Sequence, residues 1–262
     1  MTSARKGSSA SEKRSRFGPG VRVGPGSLVE DDVHLGEDAS GSSGSKELEI
    51  GRDAIIRAGA EVHPGVLIGD RLEVGRNVVI GEGTSIGDDC EVWNNTLIDS
   101  GCTIGNRVRI GGNCYIAQFT TIADDVGIAP GVCLANDPHP GSRTHLCMRG
   151  PTVERRAQIG MNATIFPFVT IGERSLVEAG SVVTRDVPAE HVVAGNPARI
   201  VGTVADVTCP LDLAEGRYLD AADQVRPDRG GRQPSSLGYP RPPAMGRRPS
   251  VGMAATPRAS DA

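Results

Sequence analysis

Five histidines are the side chains of this chain best suited to move a proton near neutral pH. His34 and His63 lie at or beside turns of a repeating pattern, and His191 follows the last repeats; all three read as exposed turn residues. His145 stands in an irregular stretch without rigid neighbours in sequence. His139 differs, because Pro138 and Pro140 flank it and restrict the backbone on both sides. An imidazole held in one direction can act as a base near neutral pH, so His139 is the candidate functional base. Asp137 either orients that ring or caps its loop. The six cysteines have no C-x-x-C spacing and no disulfide framework, and no metal site is expected. Cys90, Cys102 and Cys114 read as small buried residues, and a reducing, cytoplasmic setting fits.

The elements that position His139 follow from one repeat. Ile50, Ile56, Val62, Ile68, Val74, Ile80 and so on to Leu134 place a large aliphatic residue at every sixth position. The beat resumes one residue out of phase at Val153, Ile159, Ile165, Ile171, Val177 and Val183, and a weaker lead-in precedes it at Val23, Val29 and Leu35. Four residues after each aliphatic the side chain is again small or apolar, as at Ala54, Ala60, Val66, Thr84, Cys90 and Thr96. In a helix, six residues advance by about 600°, so these positions would wander around its surface. Strict alternation fails as well. A short strand, a turn and another short strand satisfy both positions. About three hexads then close one coil of roughly 18 residues, with coils stacked ~4.8 Å apart through parallel ladders. Aromatics make up only 3% of the chain, which argues against a broad core but suits a narrow one filled with Ile and Val.

The repeat also divides the chain. Residues 1–19 are basic and Ser-rich and are expected to be disordered; 20–202 form the β-helix; 203–225 are a short extension with a helix over Leu211 to Val225; 226–262 are a Pro/Arg-rich disordered tail. The segment from Pro188 to Val204 is expected to leave the stack. The tails together carry a net charge of about +9 by residue count, against −4 for the whole chain, so the repeat itself is acidic. Neither a membrane span nor a nucleic-acid partner is expected. A packed coil has no interior room for a substrate, so chemistry belongs on faces, loops or subunit boundaries. The one long break in the regular frame is the loop 135–152, which carries Asn136, Asp137 and His139.

The hexads, the Asn136-Asp137-Pro138-His139-Pro140 loop and the closing Gly180-Ser181-Val182-Val183-Thr184-Arg185 … Gly195-Asn196-Pro197-Ala198-Arg199 resemble the hexapeptide-repeat acyltransferases. The closest look is to sugar N-acetyltransferases acting on nucleotide-linked amino sugars. The resemblance implies an all-β, left-handed parallel β-helix, a homotrimer, and acetyl-CoA as co-substrate. A His-Pro pair in the corresponding place carries the base in galactoside, maltose and serine acetyltransferases, which implies that role for His139. It further implies that Asn113 stands near the acceptor, and that Asn136, Asp137, Gln118 and Arg143 bind it. Gly160, Asn162, Ala179, Thr184, Arg185 and Arg199 would hold CoA, the arginines by charge-assisted contact with phosphate. Backbone N–H groups near Gly160 would receive the developing oxyanion.

Three other functions fit the same fold. An O-acetyltransferase needs the same base, oxyanion donor and CoA. A γ-class carbonic anhydrase needs three His on zinc, for which His63, His139 and His145 are the candidates. A non-catalytic scaffold needs none of these.

Overall fold

The computed structural model describes residues 15–37, 47–141 and 145–207, all within the compact unit Met1–Gln224. Arg143, the helix expected over 211–225 and the tail 226–262 lie outside the described residues. Among the described residues, short strands fall into three sheets of nine, eight and ten strands. Nearly every strand pair is parallel, and the three sheets form a triangular solenoid of about nine coils, consistent with a left-handed β-helix.

Each hexad supplies one side. In Leu97–Ile98 of the first sheet, Thr103–Ile104 of the second and Arg109–Ile110 of the third, the first residue faces outward and the second is buried. The register advances by one coil of 18 residues: Ile80 pairs with Ile98, Ile86 with Ile104, and Val92 with Ile110. Two departures mark insertions. Val23 pairs with Ile50, nine residues beyond the regular step, and Ile122 pairs with Val153, thirteen beyond it. The second insertion is the extruded loop, and it explains the phase shift after Leu134.

The inward aliphatics stack in columns, and burying each one contributes roughly 1.5–3 kcal/mol. The described aromatics, Phe17, Trp93, Tyr115, Phe119, Phe166 and Phe168, all lie outside this core, exposed on faces and corners. Small inward residues sit where the chain turns. Thr96 Oγ1 donates to the Gly111 carbonyl at 2.7 Å and accepts the Cys114 N–H at 3.2 Å. Cys90 and Cys102 sulfurs reach the Gly105 and Ala117 carbonyls at 3.1 and 3.3 Å. Thr and Cys therefore share this position because both offer a short donor to a corner carbonyl. Burial pushes the Cys90 and Cys102 thiols up to about 11.

Two expectations are corrected here. The stack begins before residue 20: Arg16–Phe17 is the first strand of the first sheet and pairs with His34–Leu35. Nor does the segment after Pro188 leave the stack. His191–Gly195 continues the third sheet beside Leu176–Val177, and Ala198–Thr203 folds back on it antiparallel. An apolar hairpin can cover the last open sheet edge without hexad spacing, so the repeat alone did not reveal it.

Candidate active site

The loop leaves the first sheet after Cys133–Leu134 and enters the second at Thr152–Val153, so it projects from the corner between those sheets. This first corner holds its neck firmly. The Ala135 N–H donates to the Ile165 carbonyl at 2.9 Å, and the Arg149 N–H to the Asn136 carbonyl at 2.9 Å. Gly150 lies against the coil below, where a Cβ would collide with Thr120. Further out, residues His145–Cys147 form one 3₁₀ turn.

Beyond the neck, Asp137 caps its loop. Its Oδ1 accepts the His139 backbone N–H at 2.9 Å, closing a local turn. The same oxygen lies 3.7 Å from His139 Nδ1, too far for a hydrogen bond. The carboxylate thus stands on the Nδ1 side of the ring. The ring is 47% exposed, which suits a group that must meet a substrate from outside. Gln118 and Asn136 are half-buried on the same corner, and Thr184 and Arg185 are exposed on it two coils further along.

The remaining candidates stand elsewhere. Asn113, Gly160, Asn162 and Ala179 occupy the corner between the third and first sheets. Asn113 is left-handed at φ 59°, a conformation that Asn tolerates. Its N–H donates to the Asn94 carbonyl at 2.9 Å, and its Oδ1 accepts the Asn95 amide at 3.4 Å. Asn95 in turn accepts from Asn77 at 3.2 Å, so Asn113 ends a ladder of three stacked carboxamides. A place in that ladder accounts for its residue type, and within one chain it is not gathered with His139. Arg199 lies exposed on the closing hairpin, where its Nη1 donates to the Ala198 carbonyl at 2.8 Å. The Gly160 N–H itself is committed to the Val177 carbonyl at 2.8 Å, so an oxyanion donor near it would be another backbone group of that corner. What Gly160 provides is close approach: a Cβ there would meet the Ala179 backbone at 2.5 Å.

One feature of the first corner was missed. Phe119 and Phe168 flank the loop on the coils to either side, half-exposed, with φ of 62° and 63°. The 18-residue column Gly65, Gly83, Gly101 turning to Phe119 was the available signal.

With this geometry in hand, the hexapeptide repeat of succinyl-transferase matches as a family over residues 152–185, and the C-terminal domain of GMPPB over residues 45–138. Residues 152–185 thus carry that family's hexapeptide repeat, and the chain is similar to hexapeptide-repeat acetyltransferases over part of its length. Galactoside O-acetyltransferase of Escherichia coli (strain K12) is 38% identical over 89 residues, 32% of this chain and 43% of that protein. The dTDP-3-amino-3,6-dideoxy-α-D-galactopyranose 3-N-acetyltransferase of Aneurinibacillus thermoaerophilus is 43% identical over 67 residues, 26% of this chain and 35% of that protein. The chain therefore spans less than half the length of these curated relatives. In a solved structure, Arabidopsis UDP-N-acetylglucosamine acyltransferase is similar with a TM-score of 0.59 at 22% identity, covering 72% of this chain and 66% of that one. At that identity the likeness shows the fold alone.

Proposed function

We propose that this chain is an acyltransferase that carries the acetyl group of acetyl-CoA to the amino group of a nucleotide-linked amino sugar. The observation that carries the reading is His139 on its anchored loop, with Asp137 beside Nδ1 and the ring half-exposed. In the reaction the acceptor nitrogen attacks the thioester carbonyl as His139 Nε2 takes its proton. The tetrahedral intermediate collapses, the C–S bond breaks, and the thiolate leaves with the proton returned from the ring. Asn136, Asp137, Gln118 and Arg143 are assigned to the acceptor. Gly160, Asn162, Ala179, Thr184, Arg185 and Arg199 are assigned to CoA.

Apart from Arg199 on the closing hairpin, these CoA residues divide between two corners of one prism, as do His139 and Asn113. A site that uses both needs a corner from each of two subunits, which supports a homotrimer closed by cyclic symmetry. Leu146, 95% exposed on the loop, is a residue that such a neighbour would cover. A cytoplasmic enzyme is the reading that goes with acetyl-CoA; among the described residues no helix is long and apolar enough to cross a membrane. A second reading, O-acetylation of a sugar hydroxyl, is favoured by the 89-residue match to a galactoside O-acetyltransferase.

A screen of CoA release from acetyl-CoA, with amino sugars, nucleotide-linked amino sugars and galactosides, tests the activity and separates the two readings. His139→Ala lowers kcat by about 10²–10⁴-fold with the acceptor so found, while the KM for acetyl-CoA changes little. Wild-type turnover in that variant removes the base assignment. Sedimentation of a fully active monomer removes the trimer.

A further inference from the structure

Around the described coils, most left-handed corner positions are filled by a residue with a local reason to be there. Most are Gly, Asn or Asp, which tolerate positive φ. At the corner between the second and third sheets the column also holds four arginines and one glutamate, and among these Arg71 pairs with Asp89, Arg107 with Asp125 and Arg174 with Glu190. Phe119 and Phe168 belong to neither group. A bulky residue in this region is a true outlier, and the same column holds Gly20, Gly65, Gly83 and Gly101 on earlier coils. The change from glycine to phenylalanine occurs on the coils immediately before and after the loop that carries His139. Both rings are half-exposed, and Phe166 adds a third exposed ring on the later coil. Phe119 packs its ring edge over Gly101, whose missing Cβ makes the room.

Left-handed backbone held by two exposed apolar rings, with no ion pair to account for them, beside a candidate base is the pattern of a binding site. We propose that Phe119 and Phe168 form an aromatic shelf on which the sugar ring of the acceptor lies beside His139. The shelf rests on the acyltransferase reading given above. The apolar C–H face of a pyranose, and still more the methyl group of a deoxy sugar, matches an aromatic face. Gln118 and Asn136 on the same corner supply amide groups for its hydroxyls.

The test uses Phe119→Gly and Phe168→Gly in the full chain, because glycine restores what the rest of the column carries. The probes are dTDP-3-amino-3,6-dideoxygalactose and methyl β-galactoside, followed by saturation-transfer NMR and by acetyl transfer. The wild type binds at least one probe through its ring C–H protons. Each glycine variant weakens that binding about tenfold or more, leaves the KM for acetyl-CoA within about twofold, and melts at the wild-type temperature or above. Phe168→Tyr retains binding. A fall in melting temperature with unchanged sugar binding makes the rings structural and overturns the shelf. So does dissociation of the assembly in either variant, which makes them a subunit contact, or failure of the wild type to bind either probe. His139→Ala separates this inference from the base: it retains sugar binding while losing turnover, and if it keeps turnover the base assignment fails while the binding loss in the glycine variants still stands.

Discussion

At the scale of single residues, Asp137 has two tasks that substitution can separate. Asn at this position still offers Oδ1 to the His139 N–H and keeps the turn, but it removes the charge facing Nδ1. Ala removes both. We expect Asp137→Ala to lower kcat by about tenfold or more, in line with a lost hydrogen bond of ~1–2 kcal/mol at the loop tip. Asp137→Asn should fall between that variant and wild type. Steady-state kinetics with a common acceptor check the order, and equal losses would mean that the charge does all the work. In the core, Cys102 occupies a place that Thr84 and Thr96 fill one hexad apart on either side of Cys90. Its sulfur reaches the Ala117 carbonyl as the threonine hydroxyls reach theirs. Cys102→Thr should change stability by less than about 1 kcal/mol, whereas Cys102→Leu overpacks the coil and costs roughly 1–3 kcal/mol. Urea unfolding distinguishes them.

At the scale of the coil, side chains repeat the work of the backbone ladder. Asp70, Asp88, Asn106 and Asp124 stand 18 residues apart. Each accepts a backbone N–H from the coil before it: Arg52 to Asp70 at 3.0 Å, Asp70 to Asp88 at 2.8 Å, Asp88 to Asn106 at 2.9 Å, Asn106 to Asp124 at 2.8 Å. The backbone N–H of Asn106 is the main reason that the Asp124 carboxyl sits below its ordinary value, with the Asn106 side chain and Arg107 adding to it. The Arg52 N–H acts likewise on Asp70. A carboxyl with a depressed folded pKa binds fewer protons than it does in the unfolded chain. Its stabilisation is therefore present above the unfolded value of about 3.8 and is lost as pH falls through the lower, folded one. Asp124→Asn keeps the acceptor and removes the titration, so its stability should fall less steeply than wild type below about pH 4. Melting temperatures between pH 2 and pH 6 measure this, and parallel curves would remove Asp124 from the acid response.

At the scale of the whole molecule, a solenoid is as stable as its ends, because each coil is held only by its neighbours. The first end is closed by Ser15, Arg16 and Phe17. Ser15 Oγ donates to the Glu30 carbonyl at 3.0 Å and accepts the Val33 N–H at 3.2 Å, and the Arg16 N–H donates to the Val33 carbonyl at 2.9 Å. Removing residues 1–19 should lower the melting temperature by roughly 4–10 °C relative to removing 1–14, from the loss of these three hydrogen bonds and of the one from the Gly18 N–H to the Leu35 carbonyl at 2.7 Å. Equal melting points would show that the Arg16–Phe17 strand contributes nothing to closing the stack.

The amino-acid order by itself determined the period, the inward positions and the place of the loop. A narrow coil repeats its contacts every 18 residues, so every hexad restates the same burial rule, and Ile80, Ile98 and Ile116 are all buried as that rule requires. The Pro-His-Pro motif was likewise legible, because proline acts on its immediate neighbours. Only the tertiary structure decided which corner each candidate occupies. Asn113 and His139 are 26 positions apart in sequence yet stand on different edges of the prism, since 26 is not a whole number of coils. It also decided that the Gly160 N–H is already bonded, because its partner lies one coil away at Val177. The hairpin over 191–203 and the strand at Arg16–Phe17 were decided there too, because ends are held by contacts that the repeat does not encode.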